Sequence, residues 1–287
     1  MDDDAQPHHI RFDGQVAIVT GAGRGLGAAY ARLLAQRGAT VIVHDAGVAQ
    51  DGSGSDRSVA DAVVSEIMRS GGTAAASYEN LEEEGACARI VAFALECHGR
   101  IDALVHSAGL VVFATLEETT PQLWRRMQAI GVDAAFHLAH AVVPHMKRQG
   151  YGRIVLTTSG RAMRVEDCVP GLIAYSATKL AQVGLMVGLA AELEGTDIRV
   201  NAISPVAATR VLRRHAPELL PDLVAPAVAF LASSACRTSG AVVNAAGGRF
   251  SIGAWARREA LDLGSGVATP EAIAQHWPRL LGDVPSA

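Results

Sequence analysis

The chain has 287 residues, 49% hydrophobic and 19% charged, with a formal net charge of −4 and a pI near 6.2. That is enough apolar material for one large, well-buried domain, and the acidic balance argues against the basic surface of a nucleic-acid binder. The longest apolar run, Val224 to Ala232, has nine residues, short of the ~20 that cross a bilayer; a small-molecule partner is expected, with no nucleic acid and no membrane.

Residues 1–11 begin Met-Asp-Asp-Asp and lack the apolar core of a signal peptide, so they read as a disordered tail. Cys87, Cys97, Cys168 and Cys236 have neither metal nor redox spacing. Scattered thiols suit a reducing compartment, and a cytoplasmic location is expected.

Val16 to Thr20 reads as a buried parallel strand, and Ala28 to Leu34 as a helix. Between them lies the glycine-rich turn Gly21-Ala22-Gly23-Arg24-Gly25-Leu26-Gly27. Strand, tight turn and helix form the first half of a βαβ unit that binds a dinucleotide. Gly21 lets the turn close. Gly25 and Gly27 remove side chains where a pyrophosphate and the helix approach the backbone. The helix N-terminus offers free N–H groups to a phosphate. The next strand, Thr40 to His44, ends at Asp45, where a carboxylate can accept both ribose hydroxyls of the adenosine half. Asp45 would repel a 2′-phosphate, so NAD is expected over NADP, although Arg24 places a positive charge in the turn.

Further strands are expected at 74–78, 102–106, 153–158, 198–203 and 241–245. Helices are expected at 25–37, 56–70, 82–98, 120–149, 172–194 and 222–233. This alternation predicts an α/β fold, a single Rossmann-type doubly wound parallel sheet with helices on both faces. The catalytic domain should span 12–250, with 251–287 an extension packed on it or on a neighbouring subunit; there Ile252 to Leu261, with alternating apolar and charged faces, is expected to cover a neighbouring subunit, the alternative being a local surface helix. Gly47 to Ser58 reads as a flexible loop, the faint calcium-loop pattern from Asp51 to Ser55 lacking its ligands. His137, His140 and His145 have no carboxylate or thiol at ligand spacing, so no metal is expected.

Tyr175 and Lys179 lie four apart in a helical stretch and share a face. An ammonium beside a phenol favours the phenolate and brings its pKa toward working pH. Tyr175 then serves as acid in carbonyl reduction and as base in alcohol oxidation.

Together, Thr20-Gly21-x-x-x-Gly25-x-Gly27 and Tyr175-x-x-x-Lys179, about 150 residues apart, resemble the short-chain dehydrogenase/reductase family. The resemblance covers residues 12 to about 282. It implies that Lys179 also holds the nicotinamide ribose, and that Ser159 at the end of its strand hydrogen-bonds the substrate oxygen. Ser159 precedes Tyr175 by sixteen residues, more than the family's usual interval, so Arg161 to Gly171 should form a longer loop over the site. His106-Ser107-Ala108-Gly109 stands where the family has Asn-Asn-Ala-Gly, and implies cofactor contact at Ser107, Ala108 and Gly109. Pro205, Val206 and Ala208 should pass over the nicotinamide, with Asn80 and Leu81 also beside the cofactor. The stretch Thr209 to Leu220 is short for the family's lid. Gly131 replaces the family's helix asparagine, whose amide helps hold a water in the proton relay.

Within the family, Val41 to Gly47 with the loop to Ser58, Tyr78 to Glu83 and the tail from Leu223 through Trp277 are similar to the branch of the peroxisomal multifunctional enzymes that oxidises 3-hydroxyacyl-CoA. Alternatives are a reductase of a steroid, terpenoid or polyketide ring and a catalytically weak dinucleotide-binding module. The resemblance also implies a homodimer or homotetramer built through 120–149 and 172–194.

Overall fold

The computed structural model describes residues 9–49, 53–209, 216–254, 260, 262 and 269–281. Most of the expected tail, Asp51 of the calcium-like loop, the middle of the Thr209–Leu220 stretch and most of the expected surface helix after Ile252 lie outside the described residues. Residues 1–253 and 254–287 form two units. Within the second, α8 (Pro270–Leu281) starts where the Thr269 hydroxyl accepts the Ala272 amide at 3.2 Å.

In the first unit, eight strands among the described residues form one sheet, in the order β3-β2-β1-β4-β5-β6-β7-β8. The central strands are β1 (Val16–Thr20), β4 (Ala103–His106) and β5 (Gly152–Thr157), and every residue in them is buried. A strand covered on both faces needs a continuous apolar run rather than an alternating one, which is why Val16 to Val19 was legible. On one side lie β2 (Thr40–His44) and β3 (Thr73–Ser77), on the other β6 (Ile198–Val206) and β7 (Val242–Ala246), all parallel.

Helices α1 (Gly25–Gln36), α2 (Ser58–Arg69) and α7 (Ala225–Leu231) bury their apolar residues in one core against one face. Helices α3 (Ala86–His98), α5 (Ala134–Gln149) and α6 (Ile173–Glu192) do so against the other. β1 pairs with both β2 and β4, so the chain reverses its direction across the sheet between β1 and β4. A crevice at such a reversal is where open α/β sheets bind ligands.

Three findings depart from the sequence reading. Ile252 lies in a strand, β8 (Arg249–Gly253), which returns antiparallel on β7 with Ile252 opposite Val243. Gly247 and Gly248, both with positive φ, make that hairpin turn possible. The helix expected over 120–149 is divided into α4 (Pro121–Gln128), a π turn (Ala129–Asp133) and α5. Finally, α6 has the length and mean hydropathy of a membrane span, which counting uninterrupted apolar residues overlooked. Its Thr178, Lys179, Gln182, Val183 and Met186 are buried against the sheet.

Candidate active site

A cavity of about 1630 Å³ opens at the reversal between β1 and β4. Gly21, Arg24, Gly25, Leu26 and Gly27 line its floor. Gly21 and Gly25 have φ of 64° and 52°, a region in which only glycine rests without strain. A Cβ at Gly21 would sit 2.8 Å from Ala108 Cα, and one at Gly27 would sit 2.1 Å from Gly21 O. The turn is therefore as tight as a backbone cradle for a pyrophosphate requires. Arg24 at the N-cap of α1 makes no side-chain cap, which leaves the first-turn N–H groups facing the cavity. These residues fit a dinucleotide.

Asp45 lines one end of the cavity. Its carboxylate accepts the Gly23 amide at 2.9 Å and the Gly47 amide at 2.8 Å. Arg24 donates to Val48 O at 3.0 Å, so its guanidinium is tied to the loop after Asp45. Asn80 and Leu81 line the same end; Asn80 Oδ1 accepts the Glu82 amide at 3.1 Å, folding that side chain onto its own loop.

Ser107, Ala108 and Gly109 line the middle. Thr20 holds them: its hydroxyl accepts the Ser107 and Ala108 amides, each at 3.2 Å, and pairs with His106 Nδ1 at 2.9 Å. His106 is buried and its pKa is pushed down to about 3, chiefly by loss of solvent and then by the Lys179 charge. It is a neutral structural imidazole. Pro205 and Val206 line the far end. Ala208 does not; its amide donates to Leu219 O at 2.6 Å and it points the chain away, while Ala207 and Thr209 take up the lining.

Ser159, Tyr175 and Lys179 share this cavity. Ser159 leaves β5 in extended conformation and its hydroxyl accepts the Arg161 amide at 3.3 Å. Lys179 is 5% exposed. Its ammonium lies 5.8 Å from the Tyr175 ring centre and donates to Thr157 O at 2.8 Å. Burial pushes the Lys179 pKa down to about 8.

The phenol differs from the sequence expectation. Burial raises the Tyr175 pKa, against smaller opposing effects of the Ser159 hydrogen bond and the Arg161 charge. Lys179, whose ammonium is turned toward the Thr157 carbonyl, is not among the groups that shift it. Burial thus favours the protonated phenol.

The segment between Ser159 and Tyr175 is an ordered cover. It contains two short 3-10 turns and joins the loop after β4 through Ala114 N to Gly171 O at 2.8 Å. Arg161 and Asp167 from it, and Leu110, Val111, Val112 and Phe113 from the other loop, line the cavity.

Thr157 and Thr158 are alternatives to Ser159 in the sequence, set aside as nearer the strand interior; their supporting role and that of Gln182 escaped the sequence reading. Thr157 and Thr158 bond His106 O and Lys179 O through their hydroxyls, at 2.8 and 2.7 Å. Gln182 bonds both Thr157 N and Gly131 O. A glutamine within the apolar stretch after Lys179, on the same helix face as Tyr175 and Lys179, was the available signal. The three histidines serve elsewhere: His137 and His140 pack on the Phe136 ring at 5.4 and 5.8 Å, and His145 meets Arg148 at 2.7 Å.

Comparison with known proteins agrees with this geometry. The short chain dehydrogenase family model matches residues 15–217. Peroxisomal multifunctional enzyme type 2 of Mus musculus is 37% identical over 282 residues, covering 94% of this chain and 37% of the mouse protein. The Drosophila melanogaster enzyme of the same name is 36% identical over 244 residues, covering 83% of this chain and 40% of its own length. The chain thus spans about two fifths of these relatives. A crystal structure of a short chain dehydrogenase from Mycobacterium avium superposes with a TM-score of 0.83 at 31% identity, covering 94% of this chain and 95% of that one. The glycine cradle, the shared cavity of Ser159, Tyr175 and Lys179, and these matches make the chain a member of the short-chain dehydrogenase/reductase family, an NAD(P)-binding oxidoreductase that acts on CH–OH groups.

Proposed function

We propose that the protein interconverts a secondary alcohol and its ketone with NAD, and that its substrate is a 3-hydroxyacyl thioester or the corresponding 3-oxo compound. The observation that carries this reading is the convergence of Ser159, Tyr175 and Lys179 on one cavity with the glycine cradle. The Ser159 hydroxyl holds the substrate oxygen, and the Tyr175 phenol gives that oxygen a proton in reduction and removes it in oxidation. The Lys179 ammonium stabilises negative charge as it develops on the phenol. Bound NADH would supply the hydride to the carbon in reduction, and NAD+ would accept it in oxidation.

Preference for NAD is supported by Asp45, whose carboxylate is fixed at the adenosine end by two backbone amides. A 2′-phosphate there would face a like charge, and Arg24 is engaged with Val48 O. A thioester is supported by the cavity walls. Val111, Val112 and Phe113 offer an apolar side for an acyl chain. Arg161 brings a positive charge close enough to influence Tyr175, where the second carbonyl oxygen of a 3-oxoacyl group would lie. A homo-oligomer through α5 and α6 is supported by apolar side chains left exposed there, Phe136 at 49% and Val187 at 54%.

The test is a steady-state comparison of 3-hydroxyacyl-CoA thioesters with cyclic hydroxysteroids, terpenoid alcohols and polyketide ring ketones, each with NAD and NADP. The expected result is the highest kcat/KM for a thioester with NAD. A higher value for a ring substrate would transfer the reading to that class.

A further inference from the structure

The hydrogen-bond ladder between β4 and β5 ends with His106 opposite Leu156. Thr157 carries β5 one residue further. The Thr158 amide donates to Ile203 O of β6 at 2.8 Å. Backbone groups of successive strand residues point to opposite sides, so the N–H and C=O of Thr157 face the side that β4 no longer covers. Buried backbone groups of this kind need partners.

Two side chains of α6 provide them. Gln182 Oε1 accepts from Thr157 N at 3.1 Å, and Lys179 Nζ donates to Thr157 O at 2.8 Å. The two residues are three apart and share a helix face with Tyr175. The other end of the glutamine reaches α6's neighbour: Gln182 Nε2 donates to Gly131 O, in the π turn, at 2.7 Å. Gln182 is 0% exposed. An apolar residue would fill the same space but leave the Thr157 amide buried without its partner, which is destabilising.

We propose that Gln182 is a positioning residue for proton transfer. It grips Thr157 on one side and the π turn on the other, and so fixes the strand residue that Lys179 also holds. It places a side-chain amide from α6 between the two elements where Gly131 offers none. Lys179 and Tyr175 then keep their separation as the phenol gains and loses its proton. This inference rests on the roles given to Tyr175 and Lys179 above.

Gln182→Met keeps the length of the side chain and removes both hydrogen bonds. Turnover should fall about 10–100-fold, the scale of an ångström-sized displacement of a reacting group. Affinity for NADH, followed by fluorescence titration, should change little, because the adenosine half is held at Gly21 to Gly27 and Asp45. The ascending limb of the kcat–pH profile for alcohol oxidation should move up by about one unit, since a displaced ammonium supports the phenolate less. Gln182→Glu provides a partial rescue. Its protonated carboxyl offers the same acceptor and a donor, and its ionised form loses the donor, so turnover relative to the wild type should decline as pH rises. His106 stays neutral across this range. The inference is overturned if Gln182→Met turns over within about twofold of the wild type with an unmoved pH profile. Should that variant not fold, a pH-independent ratio for Gln182→Glu overturns it equally. Tyr175→Phe is measured alongside. If it remains active, the parent reading fails; if it is inactive while the Gln182 variants are normal, only the present inference fails.

Discussion

Gly131 offers a direct test of how tightly α6 is seated. A glycine within a regular helix costs about 1 kcal/mol relative to alanine, so on propensity alone Gly131→Ala would stabilise the protein. The structure reverses that expectation. Gly131 lies in a π turn, and a Cβ there would stand 2.8 Å from Thr178 Cβ and 3.1 Å from both Cγ2 and Oγ1. The nearest atom is the branch point of a buried side chain, anchored by its hydroxyl to Tyr175 O at 2.8 Å, and cannot swing aside. Overpacking of this kind costs about 1–3 kcal/mol. Set against the gain in propensity, the balance is a loss of up to about 2 kcal/mol for Gly131→Ala, with Gly131→Asn losing at least as much. For a domain of this size that is a fall in Tm of up to about 8 °C. Because Thr178 lies between Tyr175 and Lys179, the displacement should also lower kcat. Thermal unfolding and single-turnover kinetics on the two variants provide the check. A Gly131→Asn protein that is more stable and faster than the wild type would refute the steric reasoning and show that the absent amide limits the enzyme.

Tyr175→Phe should abolish hydride transfer while leaving NADH binding nearly intact, because the ring keeps its shape and loses only the proton it transfers; equilibrium titration and turnover separate the two. Lys179 is held below its ordinary pKa of 10.5, at about 8, so the unfolded chain binds the proton more tightly than the folded one. Stability should therefore rise as pH increases from about 8 to about 10.5, and this increment should vanish in Lys179→Met, as read by urea unfolding across that range. Asp45→Ala should raise kcat/KM for NADP relative to NAD, and a tenfold preference of the wild type for NADP would contradict the role given to Asp45. Arg161→Leu should raise KM for a 3-oxoacyl thioester more than for a simple cyclic ketone; equal effects would detach Arg161 from the second carbonyl.

The positions of the parallel strands were legible because burial demands apolar runs, as in Val16–Val19 of β1, and because the turns between them use glycine where φ is positive. The cofactor cradle was legible for the same reason: Gly21 and Gly27 are required by contacts of 2.8 and 2.1 Å that no side chain survives. β8 was not, since Arg249 to Ile252 is exposed and its alternation, Phe250 and Ile252 alone, is too short to mark a strand. Nor was the π turn, whose Ala-Ile-Gly-Val-Asp reads as ordinary helix; it is set by packing of Gly131 on Thr178. At the site, residue types revealed Tyr175 and Lys179, but the balance of burial and charge on the phenol depends on depth, which spacing does not encode. Thr20, Thr157 and Gln182 act through bonds to backbone groups far away in sequence, and such partners emerge only when the sheet is assembled.

The bond from Ala114 N to Gly171 O has a kinetic meaning. It joins the loop after β4 to the inserted segment before α6, both of which line the cavity. The two loops cannot part there without breaking it, and breaking it bares the Ala114 amide to solvent. That proton is then a clock for the entrance: its exchange with deuterium proceeds in proportion to the fraction of time the pair stands open. A bound substrate that spans both loops would slow that one proton while leaving amides at the solvent end of α2 unchanged.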